Sequence, residues 1–370
     1  MKVQEIGQAI NKLAPLKLAL DWDNVGLLIG DAQKDVKRIL MTIDITKDVL
    51  AEAKKLKCDM IFSYHPIIWD GLKKITAQGP TEVVHELIRS GMPVFSVHTA
   101  LDIAQGGVND GLAEILGIVD SEPIGDYVDN PAAENYKVVV FTPIESLAEV
   151  SNAMFAAGAG AIGNYSHCGF GAAGVGTFKP LDGSRPAVGK KGKIENVEEV
   201  RFESIVPPGK LQAVVKAMLQ AHPYEMPAYD CFRMHDTGPK FGLGRIGKLA
   251  EPLPMDRIIE RIKRATGAKA FGIIGKEKRT VRKAAVCAGS CGKLVNSVIA
   301  AGVDLYLTGE LKHHQALAAQ EANLTCLCLS HSVSERFILK KFAQRLQKEL
   351  KQVKITLSKK DADPFRWKEL

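Results

Sequence analysis

Two residues four positions apart, His331 and Glu335, have the chemistry of a metal-ligand pair. They follow an apolar run of strand type, Leu324 to Leu329, which stops at Ser330. The helical pattern after this run would place the imidazole and the carboxylate on one side of a first helical turn. Nitrogen and oxygen donors of this kind suit a divalent metal ion or a metal-activated water. The spacing therefore indicates a candidate metal-binding turn at the end of a buried strand.

The same turn also has a purely structural interpretation. Ser332 and Glu335 have the spacing of a capping box, in which the serine caps the helix and the glutamate bonds back to it. Taken alone, S-x-x-E before an apolar run favours capping, because it is a common helix start. A metal site needs partners elsewhere in the chain, and capping and metal binding do not exclude each other.

Three further apolar runs end in polar side chains that could bind metal. They end at His65, in the segment from His98 to Asp102, and at Glu310. Ligands of open α/β sheets bind at the carboxyl ends of the strands, so such residues can converge. With His331 there are four such ends, and this convergence favours the metal interpretation over capping. Glu310 is interpreted as an acid at a helix start, with orientation of a ligand histidine as the alternative.

The elements that position these residues follow from the hydrophobic pattern. Apolar strands alternate with helical segments in both outer parts of the chain, which predicts parallel, doubly covered sheet structure. The middle has the order β-α-β-β-α-β of a ferredoxin-like module. We therefore predict a two-lobed α/β unit that contains parallel sheet and is interrupted by an α+β insert. The predicted domains are residues 1–125 (N-terminal α/β lobe), 126–241 (insert) and 242–370 (C-terminal lobe, completing the metal site).

Composition places the chain among ordinary globular proteins. Its 370 residues are 46% hydrophobic and 25% charged, with room for two or three domains. The net charge of +7 lies in basic patches, but no nucleic-acid module is recognisable, so a nucleic-acid partner is not expected. The N-terminus lacks a signal-peptide pattern and no window approaches a membrane span of ~20 apolar residues, so we expect a cytoplasmic protein without a membrane partner. The seven cysteines, several within apolar runs, are expected to be reduced thiols.

Several familiar motifs are matched only superficially. Gly158–Gly163 and Gly242–Gly247 both fit G-x-G-x-x-G, but neither has the strand-turn-helix context that a dinucleotide needs. Gly289–Leu294 lacks the glycine spacing of a P-loop. Cys287 and Cys291 have the wrong spacing for a zinc knuckle. No organic cofactor is therefore expected.

Several segments, in order over nearly the whole chain, resemble the NGG-interacting-factor-three (Nif-three) family, whose bacterial members are named GTP cyclohydrolase I type 2 homologues. They are Asp21–Leu27 (DWDNVGL), Ser63–Pro66 (SYHP), His98–Asp102 (HTALD), Gly106–Asp110 (GGVND), Gly242–Gly247 (GLGRIG), Thr308–Glu310 (TGE) and His331-x-x-x-Glu335. The middle, with Gly163-Asn164-Tyr165 and His222–Glu225 (HPYE), is similar to the PII/CutA-like insert of longer bacterial members.

The resemblance implies a two-metal site between two α/β lobes, a toroidal hexamer, and hydrolytic opening of the GTP imidazole ring with release of formate. It assigns the metal ligands to His65, Asp102, His331 and Glu335, holding one or two divalent ions (zinc, iron or manganese) per subunit. Many members have a second histidine where this chain has Tyr64. A phenol with a pKa near 10 is a poorer ligand, so filling of the second metal position is an open question.

If the site hydrolyses its substrate, Glu335 and His98 are the candidate catalytic residues. His98 would shuttle a proton, with a hydrogen-bonding role beside the ligands as the alternative. The competing hypothesis is a non-enzymatic metal-binding or regulatory hexamer in which the insert senses a ligand. A nucleic-acid-binding role would depend only on the basic patches. His313 and His314 are expected at the surface.

Overall fold

The computed structural model describes residues 1–125, 127–128, 135–163, 165–234 and 241–366. The predicted domain boundary at residue 126 and Asn164 of the insert motif lie outside the described residues. The chain divides into two compact units, one formed by Met1–Asp129 with Lys240–Leu370 and the other by Asn130–Pro239. We call them the main unit and the inserted unit.

Helices and strands alternate through most of the described chain. The α-helices are α1 (Val3–Leu13), α2 (Lys47–Lys55), α3 (Glu82–Arg89), α4 (His98–Ile103), α5 (Val108–Leu116), α6 (Leu147–Ala156), α7 (Leu211–Ala221), α8 (Met255–Thr266), α9 (Val295–Ala300), α10 (His313–Glu321), α11 (Val333–Arg336) and α12 (Ile338–Glu349). The strands are β1 (Gly26–Ile29), β2 (Arg38–Thr42), β3 (Met60–Ser63), β4 (Val94–Ser96), β5 (Ile118–Ile124), β6 (Tyr136–Pro143), β7 (Gly169–Phe178), β8 (Glu195–Val206), β9 (Tyr229–Arg233), β10 (Gly244–Pro254), β11 (Gly272–Ile274), β12 (Thr280–Cys287), β13 (Leu305–Thr308), β14 (Thr325–Cys328) and β15 (Lys354–Leu357). Short 3-10 helices cover Leu16–Leu18, Ile144–Ser146, Pro208–Lys210 and Gly292–Leu294.

The first sheet of the main unit has the order β1-β4-β3-β2-β15. All its neighbours are parallel except β1, which runs antiparallel to β4. Alternate residues of each strand face opposite sides, as β geometry requires. In β2, Leu40 packs with residues of α2 and α3 on one face, whereas Ile39 and Met41 belong to the larger core on the other. This double coverage explains the uninterrupted apolar runs of the sequence.

The second sheet has the order β11-β14-β13-β12-β10-β5, with β12, β13 and β14 parallel and the outer strands antiparallel. One hydrophobic core runs between the two sheets, and it includes Phe62 of the first sheet and Val286 of the second. Each sheet has one edge strand from the other end of the chain. The N-terminal β5 pairs in the second sheet, and the C-terminal β15 pairs in the first. The mixed α/β fold with several sheets agrees with the prediction.

The inserted unit contains one antiparallel sheet, β7-β8-β6-β9. Helices α6 and α7 pack against it through Val138, Val140, Phe202 and Val206. Its elements follow the order β6-α6-β7-β8-α7-β9.

The structure adds one local detail and corrects one local prediction. Helix α1 ends at Leu13. Ala14 precedes Pro15, and a residue before proline is disfavoured in helical conformation. The segment from His98 to Asp102 was expected as a strand end, but it forms helix α4 immediately after β4.

Two general properties complete the fold. All seven cysteines are reduced thiols, as expected. Among the described residues, no helix is both long and apolar enough to cross a bilayer.

Candidate metal centre

Three of the four predicted metal ligands meet at one point of the main unit. Ligand atoms of His65, His331 and Glu335 all lie within 4.8 Å of one another. His65 Nε2 is 3.3 Å from Glu335 Oε2, and His331 Nε2 is 3.4 Å from Glu335 Oε1. Glu335 is buried, with 2% of its surface exposed, and is therefore placed between the two imidazoles away from bulk solvent.

The convergence follows from the topology of the two sheets. His65 comes directly after the buried strand β3, and His331 follows β14 of the second sheet. Glu335 reaches the same point from the short helix α11. Ser330, just before His331, has a φ of +76°, a conformation that is uncommon outside glycine. The chain thus turns sharply between strand and helix to direct His331 toward Glu335.

The capping interpretation of this turn is wrong. Ser332 makes no side-chain capping bond and has helical dihedral angles itself. Its Oγ atom is buried and has no hydrogen-bond partner among the described residues. The Glu335 carboxylate points to the histidines, so S-x-x-E here positions a ligand instead of closing a helix end.

The donor atoms fit a bound cation. His65 Nε2 and Glu335 Oε2 are buried, and neither is in a hydrogen bond within the described part of the chain. Buried polar atoms without a partner are costly and uncommon, and a cation between them would satisfy both. Gly289 closes the other side: a Cβ at this position would lie 2.7 Å from Glu335 Oε1 and 3.6 Å from His331 Nε2. Two imidazole nitrogens and a carboxylate are a donor set for zinc, iron or manganese.

Each histidine near the centre is paired with a carboxylate through its Nδ1 atom. His65 Nδ1 lies 2.8 Å from Asp44 Oδ1, and His331 Nδ1 lies 3.0 Å from Glu310 Oε1. An ionised carboxylate accepts the Nδ1 proton and leaves Nε2 free to bind metal.

Glu310 therefore orients His331, a candidate ligand, and its interpretation as a helix-start acid is wrong. Helix α10 begins at His313, and no acid lies in its first turn. His313 and His314 are exposed, as expected.

Electrostatics agree with these pairings. Burial raises the pKa of Asp44, but its hydrogen bond with His65 outweighs this, so the pKa lies below the usual value. Burial of the His65 imidazole lowers its pKa, yet Asp44 and Glu335 together raise it to about 10. In the metal-free protein His65 therefore carries a proton that a metal ion would replace.

Asp102, the fourth predicted ligand, is buried near the centre but outside the group of three. Its Oδ1 accepts a hydrogen bond from the hydroxyl of Tyr64. Burial, opposed by His98 and reinforced by Glu335, raises the pKa of Asp102 to about 7. Burial and the charge of Asp102 also raise the pKa of Tyr64 well above its usual value. The phenol thus serves as a hydrogen-bond donor to Asp102.

His98 lies beside the group of three, with its ring centroid 5.3 Å from that of His65. Its Nδ1 lies 2.9 Å from Oδ1 of Asp23, a carboxylate whose side chain is fully buried. Burial raises the pKa of Asp23, but the hydrogen bond and charge of His98 bring it below the usual value. His98 has a φ of +24°, and strained backbone of this kind is concentrated at functional sites.

Four residues that hold the site together were not identified from the sequence. The Asn109 amide donates to the carbonyls of Asp102 (3.3 Å) and Leu243 (2.6 Å), and its Oδ1 accepts from the amide of Ala288 at 2.8 Å. The Gly289 amide donates to Ser334 Oγ at 2.9 Å. The Asn109 bonds join the first-sheet side of the centre to the second, and the Gly289 bond ties two segments of the second-sheet side to each other.

The remaining two unidentified residues are Arg245 and Asp44. Arg245, inside the GLGRIG motif, is buried, pairs with Asp110 and donates to the Ile103 carbonyl at 2.8 Å. Asp44 had a usable signal, since it follows the buried strand β2 as His65 follows β3. For Arg245 and Asn109 the sequence offers no comparable signal.

Known proteins resemble this chain over nearly its whole length. The sequence profile of the Duf34/NIF3 (NGG1p interacting factor 3) family matches residues 1–364. A Halalkalibacterium halodurans protein named GTP cyclohydrolase 1 type 2 homolog is 36% identical over 369 residues, covering 98% of each chain. The Bacillus subtilis protein of that name is 33% identical over 366 residues, covering 98% of this chain and 97% of its own. The crystal structure of a Bacillus cereus protein related to NIF3 is similar with a TM-score of 0.80 and 36% identity, covering 99% of both chains.

Proposed function

The chain belongs to the Duf34/NIF3 family, and we propose that it is a metal-dependent hydrolase of the GTP cyclohydrolase 1 type 2 kind. The proposed substrate is GTP, whose imidazole ring is opened by hydrolysis with release of formate. The observation that carries this proposal is the group of His65, His331 and Glu335, with two buried donor atoms that no other described residue satisfies. The names of the two relatives support the substrate.

The residues of the centre have separate roles in this proposal. His65, His331 and Glu335 hold a divalent cation, and Asp102 is the proposed further ligand. When bound, such a cation supplies Lewis acidity and lowers the pKa of nearby water.

Three further carboxylates, those of Asp23, Asp44 and Glu310, act on the histidines and not on the substrate. Asp44 and Glu310 accept the Nδ1 protons of His65 and His331, so that both Nε2 atoms face the cation. Asp23 fixes His98 in the corresponding way, which leaves His98 Nε2 free to accept a proton and return it to a leaving nitrogen.

The test combines metal analysis with turnover. Protein purified without chelator is expected to contain a divalent metal and to release formate from GTP. Glu335→Ala is expected to lose both, while His313→Ala, a change of an exposed histidine on α10, keeps both. A metal-loaded protein that leaves GTP intact would refute the hydrolase; a protein with no bound metal would refute the centre.

One observation favours a second function, ligand sensing by a non-enzymatic metal-binding hexamer. The inserted unit contains a cavity of about 370 Å³ whose lining includes Phe141, Phe178, Glu199 and Tyr224. Its strand order β7-β8-β6-β9 supports the prediction of a ferredoxin-like, PII/CutA-like insert over residues 126–241.

Calorimetric GTP binding separates the two functions. Binding that survives His331→Ala and is lost in Glu199→Ala supports the sensing function; the opposite pattern supports the hydrolase. Analytical ultracentrifugation tests the proposed hexamer, which a monomeric sedimentation coefficient would contradict.

A further inference from the structure

Two large indole side chains are exposed beside the metal centre. Trp22 is 60% exposed and Trp69 is 50% exposed. Both contact the His98 ring edge-on, with centroid distances of 5.9 Å and 5.1 Å and interplanar angles of 71° and 86°. The Trp69 ring also lies 5.9 Å from that of the metal ligand His65. The two exposed apolar surfaces therefore adjoin the reactive groups.

The loops that carry these indoles are anchored. The side chain of Asp23, next to Trp22, is fully buried and accepts a hydrogen bond from the backbone N–H of Thr99 at 3.0 Å. The side-chain amide of Asn24 donates to the carbonyl of Ile68 at 2.6 Å. This bond ties the loop that carries Trp22 to the loop that carries Trp69. Since these bonds hold the backbone beside both indoles, little main-chain freedom remains to be lost at this surface. A preorganised surface loses little conformational entropy when a ligand binds.

A structural role alone explains this arrangement poorly. A tryptophan that stabilises a fold does so by burying its large apolar surface, and these two leave half or more of it in water. Exposed apolar surface beside a polar site marks a place where a ligand or partner binds. Single tryptophans at a surface need no explanation, but here two converge on one buried histidine.

We propose that Trp22 and Trp69 form a stacking site for the planar heteroaromatic base of the substrate. The inference rests on the proposed function and names which part of the nucleotide is recognised and where. Aromatic side chains bind any base through its π-face, without hydrogen-bond readout. A base held against Trp69 lies next to His98 and His65. In the proposed reaction the base is itself the group that is opened, so stacking would place the reacting ring at the metal ligands.

The experiment measures tryptophan fluorescence and uses three probes: GTP, guanosine and inorganic triphosphate. The chain has three tryptophans, so all measurements use a Trp367→Phe background in which only Trp22 and Trp69 report. GTP and guanosine are expected to quench the emission, and triphosphate is not.

Substitution then tests each indole. Trp69→Leu is expected to weaken guanosine binding about tenfold or more, within the range measured for loss of one aromatic–base stack. Trp22→Leu is expected to act in the same direction, and Trp69→Phe to recover most of the loss. The matched control is Phe170→Leu in the inserted unit, an aromatic side chain that is 65% exposed and distant in sequence from the centre. Metal content of every variant is measured to show that the ligands are intact.

The outcomes keep the two proposals distinct. Guanosine affinity within twofold of the parent in both leucine variants, or equal quenching by triphosphate, overturns the stacking site. If GTP is not hydrolysed but guanosine binding depends on the tryptophans, the stacking site stands and the hydrolase fails. If GTP is hydrolysed with unchanged KM in both leucine variants, the hydrolase stands and the stacking site fails.

Discussion

Both sheets of the main unit place residues at the candidate metal centre from the ends of their strands, but the two sheets differ in how exposed those residues are to solvent. Each presents the carboxyl ends of three adjacent parallel strands. The first sheet contributes Asp44, His65 and His98 after β2, β3 and β4, and the second contributes Gly289, Glu310 and His331 after β12, β13 and β14. In both, a histidine is followed four residues later by an acid, as His98 is by Asp102 and His331 by Glu335.

The difference lies in how much solvent reaches each ligand histidine. The side chain of His65 is 9% exposed, whereas that of His331 is 39% exposed. Their carboxylate partners are at similar distances, 2.8 Å and 3.0 Å. Charges interact more strongly away from water, so equal hydrogen bonds have unequal effects. In the proposed centre, the first sheet would therefore supply the buried ligand histidine, and the second would form the side open to solvent.

The largest expected effect comes from removing each ligand histidine in turn. His65→Ala is expected to weaken metal affinity by more than about 100-fold, above the range measured for partners outside the coordination shell. His331→Ala should lose less, because water can enter at the exposed position and supply a donor. Competition with a chromogenic chelator measures both, with exposed His313→Ala as the control. A greater loss of metal affinity in His331→Ala than in His65→Ala would contradict the expected order.

Gly289→Ala tests whether the second sheet supports the centre by leaving room for the Glu335 carboxylate beside Gly289. The new Cβ would lie 2.7 Å from Glu335 Oε1, and the residue has a φ of +68°. We expect metal affinity to fall about 10- to 100-fold, the effect of misplacing a ligand through its surroundings.

The matched control for this substitution is Gly302→Ala. Gly302 has a φ of +63° and open space around its Cβ position. Both variants should lose about 1–2 kcal/mol of unfolding free energy from the left-handed backbone, measured by urea denaturation. Only Gly289→Ala should lose metal, and equal affinities would show that the contact with Glu335 is unimportant.

Exchanging the carboxylate partners for amides compares the two sheets directly. Asp44→Asn is expected to weaken metal affinity about 10- to 100-fold, since the buried His65 loses its only carboxylate partner at Nδ1 among the described residues. Glu310→Gln is expected to cost less than about tenfold, because water screens the exposed pair. Calorimetric titration of both variants with Zn²⁺ checks the order, and equal losses would mean that exposure does not decide the effect.

Metal affinity is expected to fall by about tenfold for each unit that the pH is lowered from about 10 to about 7, and more steeply below about 7. His65 in the metal-free protein has a pKa of about 10, so the cation must displace one proton throughout this range. The pKa of Asp102 is about 7, and below it a second proton is expected to be displaced, so the slope steepens. Asp102→Asn should abolish the steepening. An affinity independent of pH would contradict the protonated state of His65.

The residue types and their local positions were readable from the sequence. Apolar runs that stop at His65, Glu310 and His331 indicate buried strands with donors at their ends, because the hydrophobic pattern reports burial over a few residues. The placement of His331 and Glu335 in one turn likewise depends only on local geometry. The same local rule, applied to Asp44 after β2, would have found one more member of the site.

Only the tertiary structure decided which of these residues touch. Asp44 pairs with His65 because β2 and β3 are neighbours, and Asp23 meets His98 across 75 positions of sequence. The contact of Gly289 with Glu335, and the convergence of two tryptophan loops on one histidine, likewise depend on sheet order and on hydrogen bonds between distant segments. Local periodicity carries no information about strand order, which is set by how the whole core packs. The sequence therefore determined the donors, and the packing of two sheets determined the site.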